Sequence, residues 1–352
     1  MRLIQTRPLN CSLFQKKISN QPTITEFTKV DLTGGQEIEG AKMQILDQEG
    51  KVVEEWVSKK EAHVVYALAP GEYILHEEQA PTEQGYVRAE DVKFVVEETG
   101  DVQKVKMEDD HTKVSISKTD ITDGKEIEGA KLQILDQDGE VVESWTTGEE
   151  HLIEYLPVGT YTLHEEAAVD GYIVANDVEF TVEETGEIQK VKMEDERAMG
   201  QLVIVKTDTD SKAALEGVEF VLLEKETGKE VGRLKTGKDG KAVSELLPIG
   251  TYENGVFKEP ITYVLKETAT LKGYEKTEEE WEIVFTYQND KTPVIEVVKE
   301  IQNKKIPETP GTVKPGPKTG DDTNWFLPLL ALGVSAGMVA GLLYYRKRHK
   351  KA

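Results

Sequence analysis

Apolar and polar residues alternate with period two over many short segments of the chain. Val114, Ile116 and Lys118 share one phase, and Tyr161, Leu163 and Glu165 share another. Residues two apart in a strand lie on one face, so each segment predicts a strand with one buried side. Turn signals such as Asp138-Gly139, Gly159 and Asp239-Gly240 separate the segments. No apolar stripe of helical spacing and useful length precedes residue 325. Short strands at regular spacing predict an all-β fold built from small sandwiches.

The pattern also repeats. KVDLTGGQEIEGAKMQILDQEGKVVEEW starts at Lys29 and KTDITDGKEIEGAKLQILDQDGEVVESW at Lys118, 89 residues later. A more divergent copy, KTDTDSKAALEGVEFVLLEKETGKEV, starts 88 residues further on at Lys206. This period is too long for a solenoid unit of about 20–50 residues and predicts whole domains in tandem. The expected boundaries are 24–112, 113–198 and 199–303. Residues 1–23 contain no apolar run of signal-peptide length. They are expected to be the remnant of an upstream repeat behind a truncated or misassigned start. Residues 304–324, rich in Pro, Gly, Thr and Lys, predict an extended linker.

From Trp325 to Tyr345 the chain has 21 uncharged residues, followed by Arg346, Lys347, Arg348, Lys350 and Lys351. As a helix this run would reach about 31 Å at ~1.5 Å per residue, enough to cross a bilayer core. The basic flank places residues 346–352 in the cytoplasm and the rest of the chain outside. Pro317-Lys318-Thr319-Gly320 precedes the span. Short motif, apolar span and basic tail together resemble a Gram-positive cell-wall sorting signal, with Gly316 where the family has Leu. The resemblance implies that a sortase cleaves between Thr319 and Gly320. It then joins the Thr319 carbonyl to an amine of peptidoglycan or of a pilin subunit.

Composition narrows the function classes. The net charge of −23 opposes nucleic-acid binding, which needs a basic face. One cysteine, Cys11, excludes intrachain disulfides and CxxC metal sites, and six scattered histidines give no metal cluster. Asp136-Gln137-Asp138-Gly139 lacks the Glu that a calcium loop needs at its twelfth position, since Thr147 stands there. No cofactor is implied, and no enzymatic constellation acting on another molecule can be assembled.

Strand parity raises a sharper point. Lys29 is in phase with Phe27, Lys118 with Val114 and Ile116, and Lys206 with Leu202 and Ile204. Glu77, Glu165 and Glu267 each follow a Tyr-x-Leu in phase. On the last strands Asp109 and Asp195 follow a Val-x-Met, and Asn303 follows Ile301. A lysine, a glutamate and an Asp or Asn therefore face the core three times. Buried charges are costly unless paired or neutralised, so the recurrence asks for chemistry.

These motifs resemble the collagen-adhesin B-type and SpaA-like pilin domains. The resemblance rests on the first-strand Lys-x-Asp, on the boxes YILHEEQAPTEQGY, YTLHEEAAVDGY and YVLKETATLKGY, and on the last-strand Asp or Asn. It covers roughly residues 24–303 and implies a prealbumin-like or Ig-like sandwich. It also implies spontaneous Lys–Asp or Lys–Asn isopeptide bonds assisted by the Glu, in the triads Lys29/Glu77/Asp109, Lys118/Glu165/Asp195 and Lys206/Glu267/Asn303. The physics agrees: burial favours neutral amines and carboxyls, a neutral amine is nucleophilic, and a rigid core supplies high effective concentration.

The expected function is a wall-anchored stalk or pilin-like surface protein. The alternative is an adhesin whose repeats, or a missing N-terminal region, bind a host or matrix ligand. The near-identity of the first two repeats favours the stalk. No Tyr-Pro-Lys tripeptide of backbone pilins occurs. The expected partners are sortase, peptidoglycan or a pilin subunit, and the membrane before processing.

Overall fold

A computed structural model describes residues 21–308. Cys11, the sorting motif Pro317–Gly320, the apolar span 325–345 and the basic tail lie outside the described residues. The described chain is all β apart from one short 3-10 turn.

The first repeat comprises β1 (Ile24–Asp31), β2 (Lys42–Leu46), β3 (Val52–Val57), β4 (His63–Tyr66), β5 (Gly71–Gln79), β6 (Tyr86–Val87), β7 (Val92–Val96) and β8 (Val102–His111). They form two four-stranded sheets, ordered β4-β1-β8-β6 and β3-β2-β5-β7. Phe27, Val105 and Met107 from the first sheet and Met43, Ile45, Leu75 and Val96 from the second fill the space between them. Each fully buried side chain of this kind contributes about 1.5–3 kcal/mol.

The second repeat copies this plan. Its strands are β9 (Lys113–Asp120), β10 (Lys131–Leu135), β11 (Val141–Thr146), β12 (His151–Glu154), β13 (Gly159–Ala167), β14 (Tyr172–Ile173), β15 (Val178–Val182) and β16 (Ile188–Arg197). The sheets are β12-β9-β16-β14 and β11-β10-β13-β15.

The third repeat has β17 (Met199–Asp208), β18 (Glu219–Glu224), β19 (Glu230–Lys235), β20 (Lys241–Val243), β21 (Leu247–Pro248), β22 (Gly250–Glu253), β23 (Val256–Pro260), β24 (Thr262–Ala269), β25 (Glu280–Val284) and β26 (Val294–Asn303). One sheet is β19-β18-β24-β25, and the other joins β20, β17 and β21, with β26 beside β17. The two-stranded β22-β23 hairpin has no counterpart in the other repeats.

First and last strands pair in parallel in every repeat. Lys29 lies opposite Met107 and Asp31 opposite Asp109. Lys118 lies opposite Met193, and Lys206 opposite Ile301. The register brings each first-strand lysine within one pleat of the last-strand Asp or Asn. A single residue separates consecutive repeats: Thr112 between β8 and β9, and Ala198 between β16 and β17.

Candidate functional site: three buried triads

Each lysine sits where period-two alternation would place an apolar residue. Lys29, Lys118 and Lys206 are 4%, 1% and 0% exposed, as buried as their neighbours Phe27, Ile116 and Ile204. The glutamate comes from the second sheet, directly before a bulge. The pairing shifts between Lys42 and Met43, between Lys131 and Leu132, and between Glu219 and Phe220, next to Glu77, Glu165 and Glu267. The bulge lets the chain bend towards the box glycine while the carboxylate still points inward. Glu77, Glu165 and Glu267 are buried, as are Asp109, Asp195 and Asn303.

The three groups meet in every repeat. Lys29 Nζ lies 2.9 Å from Glu77 Oε2, Lys118 Nζ 2.8 Å from Glu165 Oε2, and Lys206 Nζ 3.1 Å from Glu267 Oε2. Lys29 and Lys118 also donate to Asp109 Oδ1 and Asp195 Oδ1. Lys206 Nζ donates to Asn303 Oδ1 at 2.5 Å. The backbone N–H groups of Ala89 and Ala175 donate to Glu77 Oε2 and Glu165 Oε2 at 2.7 and 2.6 Å.

The remaining carboxyl oxygens carry information. Glu77 Oε1 and Asp109 Oδ2 are buried without a donor, and so are Glu165 Oε1 and Asp195 Oδ2. Two ionised carboxylates beside one ammonium would leave a net buried charge; one shared proton removes it. Burial pushes the Asp109 carboxyl well above the usual carboxylate range; Lys29 opposes this and Glu77 reinforces it. Asp195 is raised in the same way, with Lys118 and Glu165 in those roles. Burial lowers Lys206 from the ordinary lysine value, against the pull of Glu267. Amine, carboxyl group and acceptor are thus in contact in each triad.

Sequence reasoning did not assign roles to the Asp of the Lys-x-Asp motif, which is buried in all three copies. Asp31 Oδ1 accepts from Thr33 N at 2.6 Å and Gly34 N at 2.9 Å, closing the turn after β1. Its other oxygen accepts from the Tyr155 hydroxyl of the second repeat at 2.8 Å. Burial alone would raise Asp31, but hydrogen bonds from Thr33, Gly34 and Tyr155 outweigh it and hold the carboxyl well below its usual range. Asp120 Oδ2 accepts from Tyr172 at 2.7 Å and from Arg197 at 2.6 Å. The Arg197 guanidinium lies 4.2 Å over the Tyr252 ring of the third repeat. These aspartates hold the joints between repeats. Their appearance within two residues of each lysine was the available signal.

Among described residues, no group of three or more His, Cys, Asp or Glu is arranged to hold a metal ion.

Similarity to known proteins follows the same three-part division. The SpaA prealbumin-like fold domain matches residues 23–111, 112–197 and 200–260. The TIE protein of Bacillus anthracis is similar over 81% of this chain and 51% of its own, at 27% identity and a TM-score of 0.55. This chain therefore spans about half the length of that relative. BcpA, the major pilin subunit of Bacillus cereus, aligns over 81% of this chain and all of its own, at 15% identity and a TM-score of 0.46. A streptococcal ancillary pilin aligns over 82% of this chain and all of its own, at 16% identity and a TM-score of 0.33. No curated protein matches. Three tandem matches covering well over half of the sequence show that the chain belongs to the SpaA family of prealbumin-like fold domains.

Proposed function

We propose that this chain is a structural segment of a Gram-positive surface protein, a stalk stiffened by intramolecular isopeptide bonds and anchored covalently to the cell wall. One observation carries the reading: three times, a buried lysine on the first strand contacts a buried glutamate and an Asp or Asn on the last strand. An ion pair kept for stability alone would be poor value, because well-packed apolar residues serve as well in such places. Amide formation removes the charges and ties the two strands.

The chemistry runs within each repeat. The Glu accepts a proton from the lysine ammonium, and the neutral Nζ attacks Cγ of the acceptor. The new C–N bond forms as the C–O bond of Asp109 or Asp195 breaks and water leaves. In the third repeat the Cγ–Nδ2 bond of Asn303 breaks and ammonia leaves. Glu77, Glu165 and Glu267 give their proton to the leaving group and take the second Nζ proton in exchange, ending as neutral carboxylic acids.

Anchoring rests on the sequence before the apolar span, where sortase would cut between Thr319 and Gly320 and transfer Thr319 to peptidoglycan or a pilin subunit.

Peptide mapping after protease digestion tests the first half of this reading. The expected finding is three branched peptides, joining Lys29 to Asp109, Lys118 to Asp195 and Lys206 to Asn303. Recovery of these six residues only in linear peptides would overturn it. For the second half, incubation with sortase and an amine nucleophile should give a product ending at Thr319.

A further inference from the structure

The third triad differs from the others in its acceptor, and the difference extends one residue further. A carboxylic acid has no N–H to satisfy, whereas a carboxamide nitrogen brings two. Asn303 Nδ2 donates to Glu267 Oε1 at 2.7 Å and to Thr270 Oγ1 at 2.7 Å. Its oxygen accepts from Lys206 Nζ at 2.5 Å. All three polar positions of the side chain are therefore filled. The register shows what stands in Thr270's place elsewhere. Gln79, Ala167 and Ala269 occupy equivalent positions after the bulge, opposite Lys42, Lys131 and Glu219. The next residues are Ala80, Ala168 and Thr270. The two repeats with Asp present a methyl group there, and the one with Asn presents a hydroxyl.

We propose that Thr270 is a positioning residue that fits the third repeat for an amide acceptor. Its hydroxyl oxygen takes the second Nδ2 hydrogen of Asn303, holding the carboxamide with oxygen on Lys206 and nitrogen on Glu267. The proposal rests on the cross-linking reading above. Attack by Lys206 Nζ makes Cγ tetrahedral and Nδ2 basic. The Nζ proton passes to Glu267 Oε2, and the Oε1 side delivers a proton to Nδ2. The Cγ–Nδ2 bond breaks and ammonia departs, so one amine and one amide become one substituted amide and one ammonia. With one Nδ2 hydrogen held by Thr270, the nitrogen can turn about that bond and present its developing lone pair to Glu267. In the first two repeats an Asn would leave a buried N–H against Ala80 or Ala168, a penalty an Asp does not incur.

The test uses the full chain, synthesised cell-free, quenched in denaturant at intervals, digested and quantified peptide by peptide. Thr270→Val should slow the Lys206–Asn303 link about tenfold, the effect of one lost hydrogen bond in the transition state. The first two repeats of the same molecule should link at their usual rate, and Thr270→Ser should restore the third. The transplant is the stronger arm. Asp195→Asn alone should link slowly in the second repeat, and Asp195→Asn with Ala168→Thr should link about tenfold faster, releasing ammonia. A merely structural role for Thr270 would not make Ala168→Thr accelerate anything. A Thr270→Val rate within twofold of wild type, or no acceleration by Ala168→Thr, overturns the proposal. A wild-type chain whose third repeat stays unlinked overturns the cross-linking reading of that repeat instead, before any variant is compared.

Discussion

At the scale of the residue, the buried lysines have no use for their charge and every use for its removal. Glu165→Gln keeps the shape but removes the group that accepts and returns the proton. We expect Lys118 and Asp195 to stay unlinked in that variant, so that it loses one water fewer than wild type. The lost tie spans 77 residues of sequence, and loop-closure entropy for a cross-link of that size is about 4–5 kcal/mol. Thermal unfolding followed in the second repeat should show a loss of that order. The acceptors also predict opposite responses to pH. Asp109 and Asp195 are raised by burial, so their reactive acid form is populated at low pH and is lost as pH rises through the raised value. Asn303 has no proton to lose in that range. Refolding unlinked chain over a pH series should slow the first two links as pH rises through neutrality and impose no such loss on the third. The same sign holds for stability: the unlinked first and second repeats gain from proton binding in the folded state and lose that gain with rising pH.

At the scale of the element, pairing first and last strands in parallel puts the lysine and its acceptor side by side, and the box glycine completes the joint to the next repeat. Gly85 has φ +79°, and a Cβ there would run into the Tyr155 backbone. Gly171, at φ +88°, faces the Tyr252 and Phe257 side chains. Gly273 has the same backbone conformation but nothing within reach of a Cβ. Gly273→Ala should therefore cost only the left-handed strain of about 1–2 kcal/mol. Gly85→Ala should cost more and loosen the first joint, and Tyr155→Phe should weaken that joint by about 1 kcal/mol through its lost bond to Asp31. Hydrogen exchange at Thr112 and Tyr155 reads both effects. The contrast marks what was legible beforehand. Strand parity puts Lys29, Lys118 and Lys206 on the apolar face because the period-two signal is local and repeated. Tyr155, by contrast, reaches Asp31 across 124 positions of sequence, and a single contact at that separation leaves no periodic trace. The β22-β23 hairpin was hidden for a related reason: it is an insertion in the most divergent copy, with nothing to align it against. Thr270 was visible only as a departure from alanine, and its meaning required knowing which atom it touches.

At the scale of the whole molecule, a pull on both ends enters a repeat at the start of its first strand and leaves from the end of its last. With the tie in place the load passes from Ile24 to Lys29, across the amide to Asp109 and out through His111, so the intervening sandwich carries none of it. A linked repeat should resist extension in single-molecule pulling. Glu165→Gln should instead release the 77-residue segment between Lys118 and Asp195, about 270 Å of chain at ~3.5 Å per residue. On the proposed anchoring, sortase cleavage would remove five cations with only two aspartates and leave the remaining chain more acidic than the −23 of the full sequence. That acidity favours solubility and keeps neighbouring copies apart. A single cysteine allows no intrachain disulfide, and the proposed internal amides would need no oxidising compartment. The most direct test is the intact mass of the purified chain under denaturing conditions. The account predicts a mass lower than that of the plain sequence by two waters and one ammonia, and a mass equal to that of the plain sequence would contradict it.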